Sequence, residues 1–167
     1  MKRIFSFCML LMLMVSTADA QSWGIVNDPD GYTNVRTGPG TSHQIIGRRL
    51  SQRSICYTPT NKSWYKVYIW DCDMRYEWGY MASSRIVPAP AGCTVYQVTA
   101  SDGYVNIRKG PSSKSAIVGK EYTGRFLFAS KKATNKWHKV YTTKGKFWGY
   151  AHSSQIDRET GYASEAD

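Results

Sequence analysis

The sequence predicts an all-β protein that consists of two consecutive small barrels, each with five strands. The first observation is an internal repeat: ten residues at 30–39, DGYTNVRTGP, return 72 residues later at 102–111 as DGYVNIRKGP. The second is that short runs rich in Val, Ile, Tyr, Trp and Thr alternate with Gly, Pro, Asn and Ser, without a long stretch of helical periodicity. Two copies of one unit therefore fill most of the chain and leave little room for a separate catalytic domain.

Five candidate strands follow the same order in each copy. Each is short and contains β-branched or aromatic residues. We expect turns at Gly38-Pro39-Gly40 and Gly110-Pro111-Ser112, because glycine supplies positive φ and proline fixes its own φ. The candidate strands are 25–26, 33–36, 54–57, 64–69 and 78–81 in the first copy, and 95–98, 105–108, 125–130, 137–142 and 148–151 in the second.

The first twenty residues have the pattern of an export signal. A positively charged start precedes an apolar stretch at 4–15, which is shorter than the roughly 20 residues that a membrane span requires. Ala18-Asp19-Ala20 then offers small residues at the positions that a signal peptidase reads. We expect a signal peptide at 1–20, cleavage before Gln21, export to the periplasm or cell surface, and no transmembrane segment after cleavage.

The rest of the chain divides at a short segment that contains two prolines. Pro88 and Pro90 make this connector stiff and extended, so the two copies are expected to stay close together. We expect the first barrel at 21–87, the linker at 88–92, the second barrel at 93–156 and an acidic tail at 157–167.

Charge is divided unevenly between these parts. The first copy (21–87) carries a net charge of +3, the second copy (93–156) carries +9 and the tail (157–167) carries −3, within a total of +10. A basic second copy indicates either an anionic partner or a solvated surface that aids solubility. Both interpretations stay open.

Three cysteines remain after the predicted cleavage. In an oxidising compartment, Cys56, Cys72 and Cys93 allow one disulfide at a time, with three possible pairings. The pairing that we favour joins Cys72 to Cys93, because the first lies in a segment unique to the first copy and the second opens the second copy. None of the three has a recognisable nucleophile signature.

Several motifs occur in the same order in both copies. They are NVRTGPGTS (34–42), IIG (45–47), WYKV (64–67) and GYMASS (79–84) in the first copy, and NIRKGPSS (106–113), WHKV (137–140) and GYAHSS (149–154) in the second. Together they resemble the bacterial Src-homology-3-like (SH3-like) domain over residues 24–156. The resemblance implies a five-stranded SH3-like barrel per copy, export or association with the cell wall, and a role in binding or targeting.

The resemblance also implies which residues are structural. Arg36 and Arg108 lie beside core positions, where we expect their stems to cover apolar surface while the guanidinium groups reach carbonyl oxygens or a carboxylate. The positions expected in the cores are Val35, Val67, Met81 and Ile86 in the first copy, and Ile107, Val140, Ala151 and Ile156 in the second.

Ligand binding is expected at aromatic and basic residues. The resemblance aligns Trp64 and Trp137 with the tryptophan that lines the ligand groove of eukaryotic relatives, with a tyrosine from the first loop facing each one. Lysines next to Trp137 in the second copy would attract an anionic ligand. An acidic, aromatic hairpin at 69–77, which is unique to the first copy, is a further place where binding is expected. The alternative is that the tryptophans only cap the barrels. The candidate ligand-binding residues are Tyr32, Trp64, Trp70, Tyr76, Tyr104, Lys131, Lys132, Lys136, Trp137 and Lys139.

Other ligand classes are not expected. Polyproline recognition is disfavoured because Ala82 and Arg85 stand where the eukaryotic groove has a proline and a tyrosine. No catalytic residue, cofactor or metal site is predicted, because the histidines are scattered and the acids of 69–77 lack the ligand series of a calcium loop. Nucleic acid fits the basic charge but conflicts with the predicted export.

The sequence therefore predicts an exported, non-enzymatic binding module that recognises cell-envelope material such as peptidoglycan or its peptides. Two alternatives stay open: a periplasmic immunity or inhibitor protein that binds an exported partner protein, and a pair of accessory domains that target a separate wall hydrolase. The ligand itself, the oligomeric state and the number of barrels that bind are not determined by the sequence.

Overall fold

The structure is a computed structural model that describes residues 21–70 and 76–159. These residues form two antiparallel sheets of seven strands each, so the predicted all-β class is confirmed. The strands of the first sheet are β1 (Ser22–Val26), β2 (Tyr32–Arg36), β3 (Ile45–Leu50), β4 (Ser54–Pro59), β5 (Trp64–Trp70), β6 (Tyr76–Ala82) and β7 (Ile86–Pro88).

The second sheet repeats the first strand for strand. The hydrogen-bonded order is β3-β2-β6-β5-β4-β1-β7 in the first sheet, and the second has the same order with each number raised by seven. A short 3-10 turn, Ser83–Arg85 or Ser153–Gln155, precedes the last strand of each sheet. The strands of the second sheet are β8 (Cys93–Val98), β9 (Tyr104–Arg108), β10 (Ile117–Tyr122), β11 (Phe126–Ser130), β12 (Trp137–Tyr141), β13 (Phe147–His152) and β14 (Ile156–Arg158).

The predicted number of five strands per copy is too low, and the sheets do not close into the expected five-stranded barrels. The strands that were not predicted are the two outermost strands of each sheet, namely β3 and β7 in the first and β10 and β14 in the second. β3 and β10 pair with one neighbour only, so apolar residues such as Ile45 and Ile117 stay exposed and no residue of either strand is buried. β7 and β14 have three residues each, which is too short for a period of two to be recognised.

Each sheet has an apolar core of its own. The first core is built around Val26, Val35, Ile55 and Val67, and the second around Val98, Val105, Leu127 and Val140. The core positions that the resemblance implied are confirmed as buried: Val35, Val67, Met81, Ile86, Ile107, Val140, Ala151 and Ile156.

A third apolar cluster joins the two copies. It contains Ile25 of β1, Val95 of β8, and Phe126 and Phe128 of β11, with Trp23 packed against them. Since β1 corresponds to β8 and β4 corresponds to β11, the copies meet through equivalent faces of their sheets. This shared cluster fixes one copy against the other, in addition to the short linker.

The loops after β2 and β9 use glycine for a different reason from the one predicted. The positive φ values lie before these strands, at Gly31 (82°) and Gly103 (86°), and not at Gly38. At Gly38 a Cβ atom would lie 2.5 Å from the His43 ring. A side chain at position 38 would therefore require the exposed His43 ring to move, and backbone handedness is not the reason for glycine there.

The favoured disulfide is not formed in this structure. Cys56 and Cys93 are buried free thiols, and Cys72 lies outside the described residues. The Cys93 thiol hydrogen-bonds with the side chain of Tyr141, which packs against the shared cluster. Burial raises the pKa of Cys93, and it raises the pKa of Cys56 to about 11.

Candidate binding groove

The first copy has a groove that two of the predicted aromatic residues line. Tyr32 at the start of β2 and Trp64 at the start of β5 border a cavity of about 240 Å³. Trp64 lies opposite Ala82 at the end of β6, so the groove runs from the loop before β2 across to the β5–β6 pair. The remaining lining residues are Asp28, Asp30, Thr33, Asn34, Arg36, Thr41, Ala82 and Arg85.

A buried carboxylate forms one side of this groove. Asp28 is 8% exposed and accepts hydrogen bonds from the Thr33 hydroxyl at 2.6 Å and from the backbone N–H of Asp30 at 3.0 Å. The hydrogen bond from Thr33 lowers the pKa of Asp28 below 3.8, and it outweighs burial, which alone would raise this pKa. Asp28 is therefore ionised at neutral pH.

Arg85 stands over this carboxylate at the rim of the groove. Its Nε lies 3.5 Å from Asp28 Oδ2, and its side chain is 39% exposed. No other partner of the Arg85 guanidinium occurs within 21–70 and 76–159, so its remaining N–H groups are available to a ligand. Asp28 holds the arginine in position, and the guanidinium N–H groups that do not face Asp28 can bind a carboxylate or phosphate.

Arg36 has the structural role that was predicted for it. Its guanidinium donates to the backbone carbonyls of Thr41 at 2.9 Å and His43 at 2.8 Å, and Arg108 donates to the carbonyl of Ser115 at 2.8 Å. Each arginine therefore fastens the loop that follows its own strand, and in the first copy this loop forms one end of the groove.

A basic side chain from the neighbouring strand lies over the ring of each of the two predicted tyrosines. Arg48 Cζ lies 4.5 Å from the ring centroid of Tyr32, and Lys120 Nζ lies 4.0 Å from that of Tyr104. These are equivalent positions in the two copies. A cation over the ring face is favourable, so the contact holds each tyrosine ring at the equivalent place in its copy.

The second copy replaces the polar residues of the groove by less polar ones. In the repeat, the positions of Asp28, Thr33 and Arg85 correspond to Ala100, Val105 and Gln155. Asp28, Thr33 and Arg85 are thus all replaced in the second copy. The second copy has no counterpart of the Asp28–Arg85 pair at these positions.

The tryptophan of the second copy has a different neighbour as well. His152 stands where the first copy has Ala82, and its ring meets Trp137 edge to face with centroids 5.2 Å apart. His152 Nδ1 is 2.8 Å from the Ser154 hydroxyl, which fixes the ring in this place. The surface around Trp137 is therefore partly occupied by an imidazole, where Trp64 borders open space.

The predicted lysines lie together on the hairpin between β11 and β12. Lys131, Lys132, Lys136 and Lys139 are all exposed. Ser130 fixes this turn, because its hydroxyl donates to the carbonyl of Lys132 and accepts from the N–H of Lys139. The basic residues are thus adjacent to Trp137 at the start of β12.

The aromatic hairpin of the first copy is described in part. The backbones of Trp70 and Tyr76 pair at the end of β5 and β6. Residues 71–75 and the side chains of 69–77 lie outside the described residues, so the predicted roles of Trp70 and Tyr76 remain predictions.

Asp28 and Thr33 were not singled out from the sequence as site residues, although a signal for them was present. Positions 28, 33 and 85 all differ between the two copies, as do the neighbouring positions 27 and 29. A coordinated change between copies is the pattern expected of residues that contact one another. Comparison of the copies position by position would have included these three among the positions that differ, and only the fold shows that they contact one another.

No protein-family model matches the chain, and no curated protein matches it. Among solved structures the chain is similar to NlpC2 from Trichomonas vaginalis, with 10% identity over 89% of this chain and 52% of that chain and a TM-score of 0.40. It is also similar to NlpC1 from Trichomonas vaginalis, with 12% identity over 86% of this chain and 48% of that chain and a TM-score of 0.39. The chain spans about half the length of these two proteins. In the part of the chain that the structure describes, no helix is long and apolar enough to cross a membrane.

Proposed function

We propose that the protein is an exported tandem of bacterial SH3-like modules that binds cell-envelope material, namely peptidoglycan or its peptides, without catalytic activity of its own. The observation that carries the proposal is the groove of the first copy, where Tyr32 and Trp64 stand beside Asp28 and Arg85. Aromatic faces pack against sugar rings and small apolar groups, while the Arg85 guanidinium, held in place by Asp28, binds the carboxylates of a short peptide. This combination suits a ligand that contains both.

The second copy contributes through its charge in this proposal. The lysines of the β11–β12 hairpin are exposed, and the copy carries most of the positive charge of the chain. Charges of this kind raise the rate of encounter with an anionic surface and act over about 8–10 Å at physiological salt. The groove then supplies the contacts that depend on shape.

The test is calorimetric binding of purified peptidoglycan fragments to the mature chain and to two variants. We expect Trp64→Ala to weaken binding by about 2 kcal/mol, roughly 30-fold, as removal of a central aromatic does. The matched control is Trp137→Ala, at the same strand position in the second copy. A loss with Trp64→Ala alone assigns the ligand to the first groove, and a loss with Trp137→Ala alone assigns it to the second copy.

Two outcomes contradict the proposal. One is binding that neither tryptophan variant changes, because the aromatic surfaces would then have no part in recognition. The other is release of shorter fragments during incubation with the wild-type chain, detected by mass spectrometry, because that would show catalysis.

A further inference from the structure

A second cavity lies between the two copies and is lined by residues of both. Its volume is about 500 Å³, and it is bordered by two equivalent turns, 50–53 of the first copy and 123–125 of the second. Because the copies meet through equivalent faces of their sheets, these two turns are brought to the same cavity. The cavity is thus a product of the tandem arrangement and is absent from either copy alone.

The same residue type faces this cavity from both copies. Arg53 and Arg125 occupy one position of the repeat and both line the cavity. Both side chains are exposed, and neither has a hydrogen bond or an ion pair with any residue that the structure describes. They differ in this from Arg36 and Arg108, which donate to backbone carbonyls.

The surroundings of the two arginines remain positive. Burial lowers the pKa of Arg49, and the nearby charge of Arg53 lowers it further, while Glu159 acts in the opposite sense. The Arg49 guanidinium donates to the carbonyl of Ser54 at 2.8 and 3.2 Å, which keeps a third cation near Arg53. The acids near it are Glu159, close to Arg49 and Ser54, and Glu121, which borders an adjacent cavity with Arg125.

Neutral hydrogen-bond donors complete the lining. The side-chain amides of Gln52 and Gln97 face the same cavity, one from each copy, and neither is engaged in a hydrogen bond among residues 21–70 and 76–159. Like charges held near one another destabilise the fold unless an anion neutralises them. A cavity with unpaired guanidinium groups and free amides therefore has the composition of an oxyanion site.

We propose that this cavity binds a multivalent oxyanion, carrying phosphate or carboxylate groups, between Arg53 of the first copy and Arg125 of the second. The guanidinium of Arg53 binds the anion from the first copy and that of Arg125 binds it from the second. The side-chain amides of Gln52 and Gln97 donate further hydrogen bonds. The site is separate from the groove of Tyr32 and Trp64 and does not depend on the proposed envelope ligand.

The probe is inorganic pyrophosphate, titrated into the mature full chain at physiological salt in a calorimeter. The double variant Arg53→Ala/Arg125→Ala should weaken binding about tenfold or more, because two charge-assisted contacts are lost. The matched control, Lys109→Ala/Lys114→Ala, removes the same charge from the loop between β9 and β10 and should change affinity by less than about twofold. All four side chains are exposed, so the variants are expected to fold.

Three results overturn the proposal. They are absence of pyrophosphate binding by the wild-type chain, equal weakening by both double variants, and no weakening by the arginine variant. The single variants Arg53→Ala and Arg125→Ala should each lose part of the affinity, because the anion contacts both copies. Citrate in place of pyrophosphate separates the sources, since comparable affinity indicates a general oxyanion site and much weaker affinity indicates one selective for phosphate.

Discussion

The Asp28 cluster shows why three residues change together between the copies. Asp28, Thr33 and Arg85 satisfy one another through a hydrogen bond of 2.6 Å and an ion pair of 3.5 Å. Removal of the carboxylate alone would leave the Thr33 hydroxyl without its acceptor, and removal of Arg85 alone would leave a buried charge less well compensated. The second copy avoids both states because all three positions differ there.

The first prediction concerns the Thr33 hydroxyl. We expect Thr33→Val to destabilise the protein by roughly 1.5 kcal/mol at pH 7, since a hydrogen bond to a buried charge is lost. The folded-state pKa of Asp28 is lowered, so this contribution is present above the unfolded value of 3.8 and disappears as the pH falls through the folded value. Urea unfolding of wild type and variant at a series of pH values, from 7 to well below 3.8, follows how the difference in unfolding free energy declines. A difference that stays constant throughout this series would show that Thr33 acts through packing alone.

The second prediction concerns the buried thiols. Burial raises the pKa of Cys56 to about 11 from 9.0, so roughly 100-fold less thiolate is present at pH 8 than in the unfolded chain. We expect iodoacetamide to leave Cys56 unmodified in the folded protein and to alkylate it readily in urea. Peptide mapping by mass spectrometry distinguishes Cys56 and Cys93 from Cys72. Rapid alkylation of Cys56 in the native protein would contradict the buried position.

At the level of the elements, the sequence revealed the strands whose residues alternate or form short apolar runs. β2 and β9 were predicted within a residue or two because Val35 and Ile107 recur in the same motif. β3 and β10 were missed because they are edge strands in which no residue is buried, so their sequences lack the apolar alternation of a core-facing strand. The same limit applies to the groove: the resemblance identified Tyr32 and Trp64, whereas single polar residues such as Asp28 acquire their role only from tertiary contacts.

The third prediction tests how closely β6 approaches β2. A Cβ atom on Gly79 would lie 2.9 Å from the carbonyl oxygen of Arg36, and one on Gly149 would lie 2.5 Å from that of Arg108. Because backbone cannot move aside as a side chain does, Gly79→Ala and Gly149→Ala should each destabilise by about 1–3 kcal/mol. Gly40→Ala is the control, since its Cβ would meet only side-chain atoms, of His43 at 3.3 Å and of Ser42 at 3.8 Å. Thermal unfolding of the three variants measures the effect, and equal midpoints would contradict the close approach.

At the level of the whole molecule, the two copies form one unit and are not independent modules on a tether. Each has its own core, yet the cluster of Ile25, Val95, Phe126 and Phe128 belongs to both. The run FLFA at 126–129 is apolar without alternation, which is typical of a strand buried on both faces. That signal was available in the sequence, but the partner of the outer face could be identified only from the fold.

The last prediction uses the two faces of β11 to measure the coupling between the copies. Side chains alternate along a strand, so Leu127 enters the core of the second copy while Phe128 enters the shared cluster beside Ile25. Both are fully buried, and each substitution by alanine should destabilise by roughly 3–5 kcal/mol. Their effects should differ in location, because the cavity left by Phe128→Ala removes contacts from both copies, whereas that left by Leu127→Ala lies within one. Hydrogen exchange of the full chain should therefore show reduced protection of β1 and β4 with Phe128→Ala, and unchanged protection of these strands with Leu127→Ala. Protection of β1 and β4 that is the same in both variants would mean that the shared cluster does not stabilise the first copy.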